Sequence, residues 1–199
     1  HGVIFQNTKP INYTTMTFEE LCAAAQQGDR DAQFELGGFW WERNNYERAT
    51  EWYTLSAEQG HIDAQFSLGA YYHSIHQDEQ SFHWHSKAAQ QGDQEAQNII
   101  GEYYLDSTGV QQDEEKAVYW FKKSAEQGNS LAMFHLGECY YKGRGVTADT
   151  VIAIDWLKKA EAHGDKDAGR YWKQLYYDRS VMSIDRLLRL KPFNEYMVK

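Results

Sequence analysis

Proline is nearly missing from this chain, with two in 199 residues, and nothing therefore interrupts the regularly placed alanine, leucine, glutamate and glutamine that favour helices. Cysteine is as scarce: Cys22 and Cys139 are the only two, and they say little about redox compartment. No apolar run approaches the roughly 18 residues needed to span a bilayer. Positive charge is short as well. Twenty Lys and Arg stand against 29 Asp and Glu, and the formal net charge of −9 works against nucleic-acid phosphates and anionic membranes as partners. What the chain does have is 42% hydrophobic and 15% aromatic content, enough to bury a substantial continuous core in an all-helical protein.

It also has internal repetition. Alanine-rich stretches end in Gly28, Gly60, Gly92, Gly128 and Gly164, spaced 32, 32, 36 and 36 residues apart, and Trp52, Trp84, Trp120 and Trp156 keep the same intervals. A unit of about 34 residues copied four times predicts a stacked solenoid, in which each repeat touches only its neighbours. Cys22 and Cys139 fall in different repeats, so no disulfide is expected between them.

Aligned on their glycines, the repeats read DAQFELG at 31–37, DAQFSLG at 63–69, EAQNIIG at 95–101 and LAMFHLG at 131–137. In each an alanine precedes an apolar residue by four (Ala32 and Leu36, Ala64 and Leu68, Ala96 and Ile100, Ala132 and Leu136), which predicts a first helix, A, in every repeat. Helix B follows, with Ala49, Trp52, Tyr53 and Ser56 in one repeat and Ala117, Trp120, Phe121 and Ser124 in another, at helical spacing. The tryptophan ladder is expected in the core between helices. The two longer repeats place their four extra residues between A and B, around Ser107-Thr108-Gly109-Val110 and Gly143-Arg144-Gly145-Val146. Glycines there are expected to supply the left-handed backbone that ends helix A, since these loops follow a helix rather than a strand and lack a full phosphate-binding fingerprint.

At the front, Thr17 and Glu20 fit a capping box ahead of Leu21-Cys22-Ala23-Ala24-Ala25, predicting a lone helix that covers the first repeat. At the back, the stretch from Gly164 keeps Ala168 and Tyr176 but has Trp172-Lys173 where Leu-Gly would stand, as in a terminal half-repeat. The expected organisation is an N-terminal extension over 1–16, a repeat solenoid over 17–178, and a C-terminal capping helix, around Ser183 to Leu190, with a tail over 179–199. That tail is modestly basic, with Arg179, Arg186, Arg189, Lys191 and Lys199 against Asp185 and Glu195. Its expected work is to cap the last repeat; occupying the groove of a neighbouring copy is the alternative. The chain opens on His1, compatible with a trimmed chain, a tag remnant or a removed signal peptide, so localisation stays open between cytoplasm and periplasm.

The succession of alanine, Leu-Gly, tyrosine, Gly-x-Gly-Val, Lys-Ala, tryptophan and Ala-Glu-Gln-Gly resembles the Sel1-like repeat, a relative of the tetratricopeptide repeat, over roughly residues 20–178. The resemblance is closest at 96–128 and 132–164. It implies an all-α fold, a right-handed α/α superhelix (solenoid) of helix-turn-helix repeats, acting as a non-enzymatic adaptor or regulator with helix A lining the inner face. The first two repeats lack the Gly-x-Gly-Val loop, which suggests tighter local stacking. Cysteine-rich members with a disulfide in each repeat are not matched.

Function is sought in the positions that packing leaves over. At 100° per residue the packed positions of helix A leave an arc at 31, 35, 38 and 42. Carried through the repeats, the arc holds Asp31, Glu35, Gly38 and Glu42; Asp63, Ser67, Ala70 and Ser74; Glu95, Ile99, Glu102 and Asp106; Leu131, His135, Glu138 and Lys142; and Asp167, Tyr171, Gln174 and Asp178. Ten of these twenty are acidic, against about three expected from 29 acids in 199 residues. The four first-turn acids, Asp31, Asp63, Glu95 and Asp167, are favoured by the helix dipole without any partner, but removing those four positions still leaves six acids in sixteen. Two explanations stand: a solvated charged face, or a concave acidic surface for a basic partner. The candidate binding residues are Asp31, Glu35, Glu42, Asp63, Ser67, Glu95, Glu102, Asp106, His135, Glu138, Tyr171 and Asp178.

His61, His73, His76, His83 and His85 invite a metal, but no carboxylate or cysteine completes a ligand set at recognisable spacing, and His85 occupies the slot of Tyr53, Phe121 and Leu157. No metal or cofactor is expected, and no spacing speaks for a catalytic nucleophile or a paired-carboxylate site. The expected function is a monomeric, non-enzymatic module that binds a basic protein partner, with an immunity or inhibitor role against a toxin or effector as one form of it. A generic scaffold in signalling or envelope assembly is the alternative, and a hydrolase the enzymatic rival.

Overall fold

The computed structural model describes residues 13–177. The N-terminal extension before Tyr13, the arc residue Asp178 and the expected C-terminal helix and tail lie outside the described residues. Among those described there are helices and connections and no strand. A short 3-10 helix at Tyr13–Thr15 precedes α1 (Phe18–Gln26), α2 (Arg30–Trp41), α3 (Tyr46–Glu58), α4 (Ile62–Ser74), α5 (Asp78–Gln90), α6 (Gln94–Asp106), α7 (Glu114–Glu126), α8 (Ser130–Lys142) and α9 (Thr150–Ala162), and residues 166–177 are again helical. Helix A of the four repeats is thus α2, α4, α6 and α8, and helix B is α3, α5, α7 and α9. The chain divides into two compact units, 1–91 and 92–199, each holding two full repeats.

Local chemistry sets the helix ends. Thr17 and Glu20 form the expected capping box, Glu20 N–H donating to Thr17 Oγ1 at 3.2 Å and Thr17 N–H to Glu20 Oε2 at 2.8 Å. Asp29, Asp93 and Asn129 accept from the first-turn amides of α2, α6 and α8 at 2.7–3.0 Å. Each alanine-rich stretch stops at a glycine with φ between +87° and +104°, a left-handed residue that lets the next amide turn back to a carbonyl of the last turn, as Asp29 N–H does to Ala24. The periodic glycine is therefore a chain-reversal device.

The Leu-Gly pair has a second use. A Cβ on Gly37, Gly69, Gly101 or Gly137 would stand only 2.5–2.6 Å from the side chain of Tyr53, His85, Phe121 or Leu157, so helix B presses a buried side chain onto bare backbone of helix A. That residue follows the tryptophan. Phe121 is fully buried, whereas Trp52, Trp120 and Trp156 are half-buried and only Trp84 reaches 9% exposure. The ladder expected at the core centre instead edges it, and Lys87, Lys123 and Lys159, one turn on, lie over Trp84, Trp120 and Trp156 at 4.6, 6.0 and 4.4 Å.

Within the first unit α1 packs on α2, α2 on α3, α3 on α4 and α4 on α5; within the second, α6 on α7, α7 on α8 and α8 on α9, with Ala168 and Leu175 of the last helical run joining that core. Glutamines tie helix A to the end of helix B within a repeat: Gln59 Nε2 donates to Gln33 Oε1 at 2.7 Å, Gln91 to Gln65 at 2.8 Å and Gln127 to Gln97 at 2.9 Å. Helix A ends in left-handed Gly143 as expected in α8, but Ser107, Asn44 and His76 adopt that conformation in the other repeats. In the Gly143-Arg144-Gly145 loop, Arg144 is bound to the Glu114 carboxylate at 2.9 Å and to the Leu105 carbonyl at 3.0 Å, so its guanidinium serves a loop tie.

Candidate functional site

In the first unit the arc positions of α2 and α4 differ sharply in size. Helix α2 and its C-cap carry Glu35, Gly38 and Glu42, while α4 carries Ser67, Ala70 and Ser74 where α6 has Ile99, Glu102 and Asp106. Small side chains leave room. A cleft of about 300 Å³ opens there, walled by Trp41, Tyr53, Phe66 and Tyr71 and floored by Ser67, Ala70 and Ser74. The rings hold one another: Trp41 lies edge-on to Tyr71 with centroids 6.0 Å apart, and 6.3 Å from Tyr53. Tyr53 is nearly buried, and its phenol pKa is raised first by burial and then by the charges of Glu35 and Glu42; its hydroxyl lies against Gly38, 3.8 Å from where a Cβ would stand, and Glu35 and Glu42 flank Gly38 at helical spacing. Glu35 and Glu42 are exposed, and among the described residues neither pairs with a cation.

Other arc residues are engaged. Asp31 is half-buried, 3.3 Å from Arg30 Nε and 3.5 Å from His61 Nε2; Asp63 and Glu95 are exposed in the first turns of α4 and α6. In the second unit the structure joins Glu102 to His135 at 3.0 Å across α6 and α8, and Asn98 donates to the same carboxylate oxygen at 2.8 Å. His135 also stacks on Phe121, centroids 4.9 Å apart. Glu138 accepts from Lys142 at 2.6 Å. Asp106 is exposed, and Tyr171 sits among Phe134 and Tyr141 with its pKa raised by burial and by Glu138. The acidic arc is thus answered in part in the second unit, where Lys142 pairs with Glu138 and His135 hydrogen-bonds Glu102, while Glu35 and Glu42 in the first have no such partner.

The histidines serve different purposes. His61 caps α4, its Nδ1 accepting from Ala64 N–H at 3.3 Å while the ring stacks on Phe34. His85 is buried against Gly69, as its slot predicts. Ser81 donates its hydroxyl hydrogen to the Gly69 carbonyl at 2.7 Å, so its oxygen can accept from His85 Nδ1–H at 3.2 Å, and burial pushes the imidazole pKa down to about 4. Among the described residues no group of three histidines, cysteines or acids could hold a metal, and no helix is long and apolar enough to cross a membrane. Cys139 is buried with its thiol pushed up to about 11 by that burial, a packing thiol rather than a nucleophile.

The sequence patterning missed the cleft. Its signal in the sequence is the run of small residues at 67, 70 and 74, which a pattern of charge does not disclose.

The family model of the Sel1 repeat matches residues 30–61, 62–93, 94–129 and 130–165, contiguous and more than half of the chain. The chain belongs to the Sel1 repeat family. Among solved structures it is similar to a Sel1 repeat protein from Oxalobacter formigenes, with 36% identity and a TM-score of 0.67 over 78% of this chain and 48% of that one. It is also similar to a protective antigen of uropathogenic Escherichia coli strains that displays an SLR fold, with 31% identity and a TM-score of 0.64 over 91% of this chain and 45% of that one. This Sel1 repeat chain spans about half the length of either protein. No curated protein matches it. The fold is the all-α repeat solenoid of these neighbours, and Sel1 repeat proteins are typically scaffolds for protein–protein interaction, generally without catalysis.

Proposed function

We propose that this Sel1 repeat chain binds a basic protein partner through the arc face of its A helices, with the contact centred on α2 and α4. The observation that carries this reading is the pair of exposed, uncompensated carboxylates Glu35 and Glu42 beside an open aromatic cleft. An acidic rim steers a basic partner and an apolar centre holds it, the division of labour usual at protein interfaces. Glu102 and Glu138 contribute less, since His135 and Lys142 already answer them.

The finer reading is an inhibitor or immunity protein that occludes a cationic toxin or effector. It predicts one stoichiometric complex, whereas a scaffold in signalling or envelope assembly retains several proteins more weakly.

The test is affinity capture at low and high salt with wild type and with a variant in which Glu35, Glu42, Asp63 and Asp106 are changed to Lys, shown by circular dichroism to stay folded. A basic protein held by wild type, released as salt rises and absent from the variant supports the proposal. Equal capture by both proteins overturns it.

A further inference from the structure

We infer that the cleft between α2, α3 and α4 is a receptor for one arginine side chain of the partner. The inference rests on the proposed function above and gives it a chemistry. Four of the lining residues are aromatic, Trp41, Tyr53, Phe66 and Tyr71, and the other three, Ser67, Ala70 and Ser74, are no larger than serine. A cavity of about 300 Å³ so lined suits a long stem with a flat head better than a compact ammonium. Glu35 and Glu42 flank Gly38, against which the Tyr53 hydroxyl lies, and that hydroxyl makes no hydrogen bond among the described residues. Ring faces attract a cation through their quadrupole, the carboxylates add a charge-assisted acceptor, and the phenol oxygen adds another. An uncharged apolar side chain would fill the cleft but leave the two carboxylates unanswered.

The same unit shows that this chemistry is available locally. The Arg43 guanidinium lies 3.4 Å over the ring of Phe39, and Arg48 lies 4.5 Å over Trp40. Neither arginine lines the cleft, so the site is open to a guanidinium from elsewhere. In the second unit the positions equivalent to the floor are His135, Glu138 and Lys142 on α8, with Lys142 bound to Glu138, so a cation of the chain itself already stands where the first unit offers room.

The test titrates the whole chain with a capped Gly-Gly-Arg-Gly-Gly peptide while the amide resonances of Ser67, Ala70 and Ser74 and the indole N–H of Trp41 are followed by NMR. Peptides carrying citrulline, lysine or leucine in place of arginine serve as controls. Saturable shifts at these four groups are expected with arginine, with affinity about ten-fold weaker for citrulline, which keeps the shape and loses the charge. Glu35→Gln combined with Glu42→Gln should weaken arginine by a similar factor, and Ala70→Leu, which fills the cleft at an exposed position, should abolish the shifts. Equal affinity for arginine, citrulline and leucine, or no saturable shift at the cleft, overturns the inference. Lysine bound as tightly as arginine overturns the choice of a guanidinium. If a full-length chain with Arg179, Arg186 and Arg189 changed to Gln shows moved cleft resonances without peptide, the chain's own tail is the occupant and the assignment to a partner falls. The proposed function fails separately, through partner capture that is indifferent to reversal of the four acids.

Discussion

Phe121, not Trp120, bears the weight of the second unit's core. Its ring is fully buried against Gly101 and His135, whereas the neighbouring indole is half-buried beneath Lys123. Phe121→Ala should therefore cost about 3–5 kcal/mol and Trp120→Ala about half of that or less, read as the shift of urea midpoint at constant m-value. Gly101→Ala tests the same contact from the other side: the new methyl meets the Phe121 ring at 2.5 Å, and a loss of about 1–3 kcal/mol is expected. His85 adds a pH dependence. Its folded pKa is near 4 and its ordinary value 6.5, so the unfolded chain takes up a proton over a range where the folded chain refuses it. Stability from this group is complete above pH 6.5 and declines as pH falls from 6.5 towards 4, by at most about 3 kcal/mol. In His85→Phe, which places at this slot the residue found in α7, that portion of the pH profile should flatten; a profile identical to wild type would show that the imidazole is not held neutral.

At the scale of elements, the repeats are joined by polar contacts whose worth depends on burial. The loop after α8 is tied to α7 by Glu114, which accepts from Arg144 at 2.9 Å and from the Gly145 amide at 3.2 Å, and Gly145 is backed against the Glu114 carbonyl so closely that no side chain fits. Glu114→Ala is expected to cost about 1 kcal/mol, because an amide and a guanidinium lose one shared acceptor. Arg170→Ala, which removes an ion pair exposed on both sides, should stay below about 0.5 kcal/mol in the same urea titration. The elements also show what periodicity can and cannot convey. Helix A, helix B, the capping box and the extra loop residues were legible because each is a local rule of spacing or capping. The left-handed helix ends at Asn44, His76 and Ser107 were not, since nothing in those residue types demands that backbone.

At the scale of the whole molecule, the net charge of −9 sets the terms on which any basic partner arrives. Association should slow on the order of ten-fold between low and physiological-to-high salt while dissociation changes much less, measurable by stopped-flow once the partner is in hand. An association rate indifferent to salt would mean that charge plays no part in encounter. The arc face was legible as a list of positions, and its acidity as a count. Which of those acids are available was not, because His135 reaches Glu102 from a residue 33 positions away.

The sequence by itself determined the helical repeat, its period and its family, because these follow from the spacing of small and apolar residues along a single helix face and from glycine at each reversal. Only the tertiary structure decided where the repeat is broken to advantage. Ser67, Ala70 and Ser74 are only small positions of the arc in the sequence, and they become a cleft when Trp41 and Tyr53 are brought to them from two other helices. A cavity is a property of what surrounds an absence, and the surroundings are set by packing between helices rather than by any one stretch of sequence.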